Sequence, residues 1–148
     1  MKVKIKKMHP DAVVPSQTYT SDFCFDVYAT SEEEVAPNVW KYGIGWAFQI
    51  DRGLTYPDYM KLSIDFRPRS SVWKTGMVLS NGEGTIDESY TGEVFAVFYH
   101  LFPNLERYHK GDKIGQIKIG TTLPIEFKEV ESLLPTERGS NGYGSTGR

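Results

Sequence analysis

The chain has 148 residues and a net charge of −2 with a pI near 5.9, enough length for one domain with a sizeable core. That balance argues against a nucleic-acid groove or an anionic membrane surface as partner. Cys24 is the only cysteine, which excludes an internal disulfide and a thiolate metal cage and fits a reducing, cytoplasmic setting.

Residues 1–7 alternate lysines with Val3 and Ile5 and lack the apolar core of a secretory leader. The longest apolar-rich run, 94–102, contains His100 and falls far short of the roughly 20 residues a spanning helix needs. His9, His100 and His109 are scattered without ligand spacing, which speaks against zinc.

The dominant period is two. Short β-branched or aromatic runs bounded by Gly, Pro, Asp or Asn predict strands near Val3 and Ile5, then over 24–29, 44–50, 61–66, 94–99, 113–119 and 124–130. The single helix expected is a turn or two after Pro68, over 70–74. This pattern predicts an all-β domain, a jelly-roll-like barrel or sandwich. The packed body is expected over 1–137 and a mobile glycine-rich arm over 138–148, with loop excursions at 51–60 and 103–110.

Four internal segments and the tail carry polar chemistry. Asp26 is embedded in the apolar run Phe25-Asp26-Val-Tyr-Ala29, where it could hold a metal, orient an arginine or simply end a strand. Arg67-Pro-Arg69-Ser70-Ser71 leads into the predicted helix, whose start would offer free N–H groups to an anion, although serine is also an ordinary cap there. Ser80-Asn81-Gly-Glu-Gly84-Thr-Ile86-Asp87-Glu-Ser-Tyr90 predicts a tight Asn-Gly hairpin. Its edge could read a base, Asp87 could act as general base, and Tyr90 could lie against a sugar; a plain hairpin with a solvated acid is the competing reading. In Lys110-Gly-Asp-Lys-Ile114-Gly-Gln116, the glutamine falls on the face opposite Ile114 and needs a partner if buried, a ligand phosphate or another strand. The tail, Arg138-Gly-Ser-Asn-Gly-Tyr143-Gly144-Ser145-Thr146, has the makings of a flap over a nucleoside triphosphate: an arginine fork, hydroxyls and a stacking ring on a glycine backbone. A Gly/Ser-rich disordered tail is the alternative.

Asp26-Val-Tyr-Ala29, Pro68-Arg-Ser70, Asn81…Gly84…Ile86-Asp87…Tyr90…Gly92, Gly111-Asp-Lys-Ile…Gln116 and the Gly-Tyr-Gly-Ser-Thr-Gly tail, in that order, resemble the five motifs of the trimeric dUTPase family. The resemblance implies a jelly-roll homotrimer with active sites shared between subunits, and Mg²⁺-assisted hydrolysis of dUTP to dUMP and pyrophosphate. It implies that Asp87 activates the attacking water, that the segment around Asn81, Gly84 and Ile86 reads uracil, and that Tyr90 excludes a ribose 2′-hydroxyl. Arg69, Ser70, Ser71 and Gln116 would support the phosphates. Arg138, Gly144, Ser145 and Thr146 would close over them, with Tyr143 on the base. Asp26 would stand near the metal through water. The sequence departs from the family pattern at Phe23 and Cys24, where small residues are usual, and at Ser71, Asn141 and Tyr143.

Two rivals remain at this level. A dCTP deaminase shares the expected fold, Arg69-Ser-Ser71 resembles its segment, and Glu83, Glu88 or Glu93 could carry the proton it needs. A nucleotide-binding regulatory protein would use the loops 51–60 and 103–110 against a partner. A capsid-type jelly roll would have no use for the flap.

Overall fold

A computed structural model of the chain describes residues 1–53 and 57–142. Ten strands follow in order: β1 (Lys2–Lys7), β2 (Phe25–Tyr28), β3 (Ser31–Ala36), β4 (Val39–Gly43), β5 (Trp46–Asp51), β6 (Lys61–Arg67), β7 (Met77–Leu79), β8 (Gly84–Asp87), β9 (Phe95–His100) and β10 (Lys113–Thr122). All pairings are antiparallel. One four-stranded sheet runs β2-β10-β6-β8, the other β3-β4-β9-β7, and β1 pairs with β5 in a two-stranded ribbon.

The core lies between the two larger sheets. Leu62, Ile64 and Phe66 of β6 alternate inward, as period two requires. Phe66 meets Phe98 of β9 edge to face at 6.3 Å, and Phe98 meets Tyr42 of β4 at 5.9 Å. Burying each such side chain contributes about 1.5–3 kcal/mol.

β10 breaks the strict alternation. Its register against β2 shifts between Lys113 and Gly115, so Ile114 and Ile117 both face the core and Gln116 turns away. Gly115 is required there, because a Cβ would stand 2.2 Å from Cζ of Phe66.

Six of the seven predicted strands are present. The seventh is not: β10 ends at Thr122, and 123–142 is irregular and exposed throughout. Its apolar residues Leu123, Ile125 and Phe127 are 62–93% exposed and pair with no strand among the described residues, and period-two sequence without a sheet to join does not form a strand. The hairpin β3–β4 escapes the sequence reading because Glu32, Glu33 and Glu34 look like a solvated run; the Pro37-Asn38 turn, with Asn38 at φ 61°, was the available signal. The predicted helix is a 3-10 turn over Val72–Thr75, two residues late and closed by Gly76 at φ 65°.

The Asn81 hairpin is also corrected. β7 pairs with β9 and β8 with β6, so 80–83 crosses from one sheet to the other. Ser80 donates its N–H to Val97 of β9 before the chain leaves that sheet, and Gly82 supplies the left-handed step at φ 68°.

Candidate active site

β8 positions the first half of the site. Gly84, Ile86 and Asp87 lie on it, opposite Phe66, Ile64 and Ser63 of β6. Beside them Asn81, Gly84 and Ile86 line a narrow cleft of about 160 Å³ whose floor is Phe66 and Ala96. A second opening of about 270 Å³ is bordered by Ile86, Asp87, Tyr90 and Phe95. Tyr90 closes a β-turn by donating its N–H to the Asp87 carbonyl at 2.9 Å. Its hydroxyl donates to the Glu93 carbonyl at 2.9 Å. The hydroxyl end of the ring packs against Gly92, where a Cβ would come within 2.5 Å of the hydroxyl oxygen. Asp87 is exposed at the lip, so its carboxylate is open to solvent, and Tyr90 is half exposed rather than part of the core.

The second half is a charged corner. Asp26 on β2 is paired through its backbone with Ser16 and buried to 6 % exposure. Lys113 donates to Oδ2 at 2.9 Å and Gln116 donates to Oδ1 at 3.1 Å. Arg69 Nε stands 3.6 Å from Oδ1. Burial alone would raise the Asp26 pKa, but the hydrogen bonds from Lys113 and Gln116, with the charges of Lys113 and Arg69, outweigh it and hold the carboxyl below the usual carboxylate range. Gln116 thus has its partner in Asp26. Arg69 Nε is buried without a hydrogen bond, which leaves its guanidinium only partly anchored. Ser70 lies in the open cleft with Arg69, Trp73 and Gly82. Ser71 stands at the cap position of the 3-10 turn but makes no side-chain capping bond. A four-residue turn aligns too few peptide dipoles to attract an anion strongly, so the positive charge at this cleft comes from its arginines.

Asp87 and the Asp26–Gln116 corner are apart within one chain, although Arg69 and Ser70 share their cleft with Gly82 of the loop that leads to β8. Gln116 of β10 faces Arg67 of β6, whereas Asp87 faces Ser63, four residues along β6 and so roughly 13 Å away. Asp26 and Asp87 also lie on opposite edge strands of the sheet, three spacings and roughly 14 Å apart across it. Arg138 is in the exposed segment, its Nε donating to the Asn141 carbonyl at 3.1 Å. Tyr143, Gly144, Ser145 and Thr146 lie outside the described residues, as does Tyr56.

The glutamates a deaminase would draw on are engaged. Glu83 pairs with Arg67 at 2.7 Å, Glu88 with Arg52, and Glu93 Oε1 accepts from the Gly45 N–H at 3.0 Å. Among the described residues no group of three His, Cys, Asp or Glu converges, and no helix is long and apolar enough to cross a membrane. One polar cluster escaped the sequence reading. Asp65 and Lys118 form a pair across β6 and β10 on the face turned away from the core, with Ser63 donating to Asp65 at 2.7 Å. Alternation along β6 places Asp65 there, and that was the available signal.

Comparison with known proteins agrees with these motifs. The dUTPase family profile matches residues 11–147. A deoxyuridine 5'-triphosphate nucleotidohydrolase of Nautilia profundicola is 33% identical over 150 residues, covering 100% of both chains. That of Helicobacter pylori strain P12 is 34% identical, with 99% of this chain and 97% of the relative covered. Among solved structures, the Staphylococcus bacteriophage 80alpha dUTPase with dUPNHPP superposes with a TM-score of 0.78 at 21% identity, over 99% of each chain. A point mutant of the dUTPase of S. aureus phage phi11, described as coordinating a structural Mg(II) ion, gives 0.67 at 19% identity over 90% of this chain and 99% of that one. With its motifs in order and full-length relatives above 30% identity, the chain belongs to the dUTPase family.

Proposed function

We propose that the protein is a dUTP diphosphatase, hydrolysing dUTP to dUMP and pyrophosphate by attack of an Asp87-activated water on the α-phosphorus. The observation that carries this is the shared turn: Asp87 and Tyr90 border one opening, next to a small cleft of about 160 Å³ lined by Asn81, Gly84 and Ile86. The backbone around Asn81, Gly84 and Ile86 reads uracil. Tyr90, fixed over Gly92, fills the space a 2′-hydroxyl needs. Asp87, open to solvent, takes the proton of the attacking water. Arg69, Ser70, Ser71 and Gln116 hold the phosphate chain. Arg138, Gly144, Ser145 and Thr146 close over it, with Tyr143 on the base.

The donor set bears on the metal. Both oxygens of Asp26 are occupied by Lys113, Gln116 and Arg69, which fits contact through water and not direct ligation. Mg²⁺, carried chiefly by the triphosphate, supplies charge neutralisation during phosphoryl transfer.

A homotrimer in the cytoplasm completes the reading. It is supported by the separation of the two halves within one chain, which a neighbouring copy would bridge. It is also supported by Leu123, Ile125, Phe127, Leu133 and Leu134, which are 62–93% exposed in a single subunit. Pyrophosphate release with Mg²⁺ across dUTP, dCTP, dTTP and UTP tests the activity: dUTP alone should be turned over efficiently, and ammonia release from dCTP would favour the deaminase.

A further inference from the structure

The turn that carries Asp87 and Tyr90 is gripped from outside the family motifs. Glu88 is its first central residue, and Arg52, just past the end of β5, meets the Glu88 carboxylate with two nitrogens. Nε donates to Oε1 at 2.7 Å, and the second contact runs from Nη2 to Oε2. The remaining nitrogen of the fork, Nη1, donates to the Pro57 carbonyl at 3.2 Å and the Met60 carbonyl at 2.6 Å. Both side chains are largely covered, at 21% and 28% exposure. A bidentate guanidinium–carboxylate pair that is partly shielded from water has the geometry and low mobility a surface pair lacks. The hydrogen bond from Arg52, ahead of the cost of burial, holds the Glu88 carboxyl below its usual range.

We infer that Arg52 is a positioning residue for the reaction: by clamping Glu88 to the loop that enters β6, it fixes the orientation of Asp87 and the height of the Tyr90 ring together. Arg52 and Glu88 bond each other and the loop carbonyls, so neither is given a substrate-binding role here. Their effect passes through the backbone of the turn, whose closing bond runs from the Tyr90 N–H to the Asp87 carbonyl. A lysine at 52 keeps the charge but cannot hold Glu88 and two carbonyls at once. The inference rests on Asp87 as base and Tyr90 as sugar wall.

The experiment compares Arg52→Gln, Arg52→Lys, Glu88→Gln and the Arg52→Gln/Glu88→Gln double variant with the intact enzyme. Arg52→Gln is expected to lower kcat for dUTP about tenfold with KM within about twofold, and to narrow the dUTP-over-UTP ratio of kcat/KM, because small misplacement of reacting groups costs rate more than binding. Amide exchange of Tyr90 should quicken in parallel. Arg52→Lys should recover part of each loss, and the double variant should be no worse than Arg52→Gln alone. Unchanged exchange at Tyr90, or faster exchange with unaltered kcat and selectivity, overturns the inference. If Arg52→Gln folds poorly, Glu88→Gln gives the same readouts from the other partner. Normal turnover by Asp87→Asn would sink the base assignment instead, and the exchange measurement would still decide whether Arg52 holds the turn.

Discussion

Replacing Asp87 with asparagine keeps the size of the side chain and removes its basic lone pair. Asp87 is exposed at the end of β8, so folding and dUTP binding should survive. Turnover should fall by about 10²–10⁴-fold, the usual reach of a general base; steady-state kinetics within a few-fold of wild type would remove Asp87 from that role. Tyr90→Ala should act differently. The ring is held by its hydroxyl on the Glu93 carbonyl and by the close approach of its hydroxyl end to Gly92, so truncation opens the space proposed to face the sugar. The expected result is a fall in the dUTP-over-UTP ratio of kcat/KM larger than the loss in dUTP affinity; a constant ratio would leave Tyr90 without a part in selectivity.

Among the elements, those with buried alternating faces were readable in advance. β6 and β9 carry Leu62, Ile64, Phe66, Ala96 and Phe98 at period two, and their positions follow directly. β3 faces solvent along nearly its whole length, so its glutamates carry no periodic signal; only its turn betrays it. The segment 124–130 has the right pattern and no strand, because strand formation depends on a partner that local sequence does not encode. The site divides in the same way. The family motifs single out Asp87, Tyr90, Arg69 and Gln116, which their residue types alone left open, whereas the clasp of Asp26 by Lys113 and Gln116 depends on the β10 irregularity, a feature of pairing. The arm gives an element-scale prediction. Its described part makes only local bonds, such as the Gly139 N–H to the Thr136 carbonyl at 3.1 Å. Deleting 139–148 should therefore leave the melting temperature nearly unchanged, since the sequence removed is mostly glycine and polar residues. It should sharply reduce kcat for dUTP, because the arm is proposed to close over bound substrate; normal hydrolysis by the truncated protein would rule the flap out.

For the whole molecule, acid is the informative perturbation. Asp26 and Asp65 are both buried, yet both carboxyls are held below their ordinary value of 3.8 despite the opposing cost of burial. Lys113 and Gln116 bond the first, Lys118 and Ser63 the second. A lowered folded-state pKa means that the unfolded chain takes up protons first. This stability is therefore present above about pH 4 and lost as pH falls through the folded values. His109 has the opposite sign, raised first by its bond to Glu106, but its ring is 45% exposed and adds little near neutrality. Melting temperature should stay level from about pH 7 to 5 and drop below about pH 4. Asp65→Asn should melt lower at neutral pH and show a shallower acid drop, and an unchanged acid profile in that variant would show that the pair does not carry the effect.

The distance between Asp87 on one edge strand and the Asp26–Gln116–Arg69 corner on the other has a genetic consequence. In the proposed homotrimer, two defective proteins, one Asp87→Asn and the other Arg69→Ala, should repair each other when co-expressed or refolded together, because a pocket built from two subunits would draw its sound half from each. Random assortment in a closed ring leaves roughly a quarter of the pockets with both halves intact. The mixture should regain a corresponding part of wild-type turnover, while either parent alone stays inactive. Cells carrying both alleles would then tolerate lesions that neither allele survives by itself.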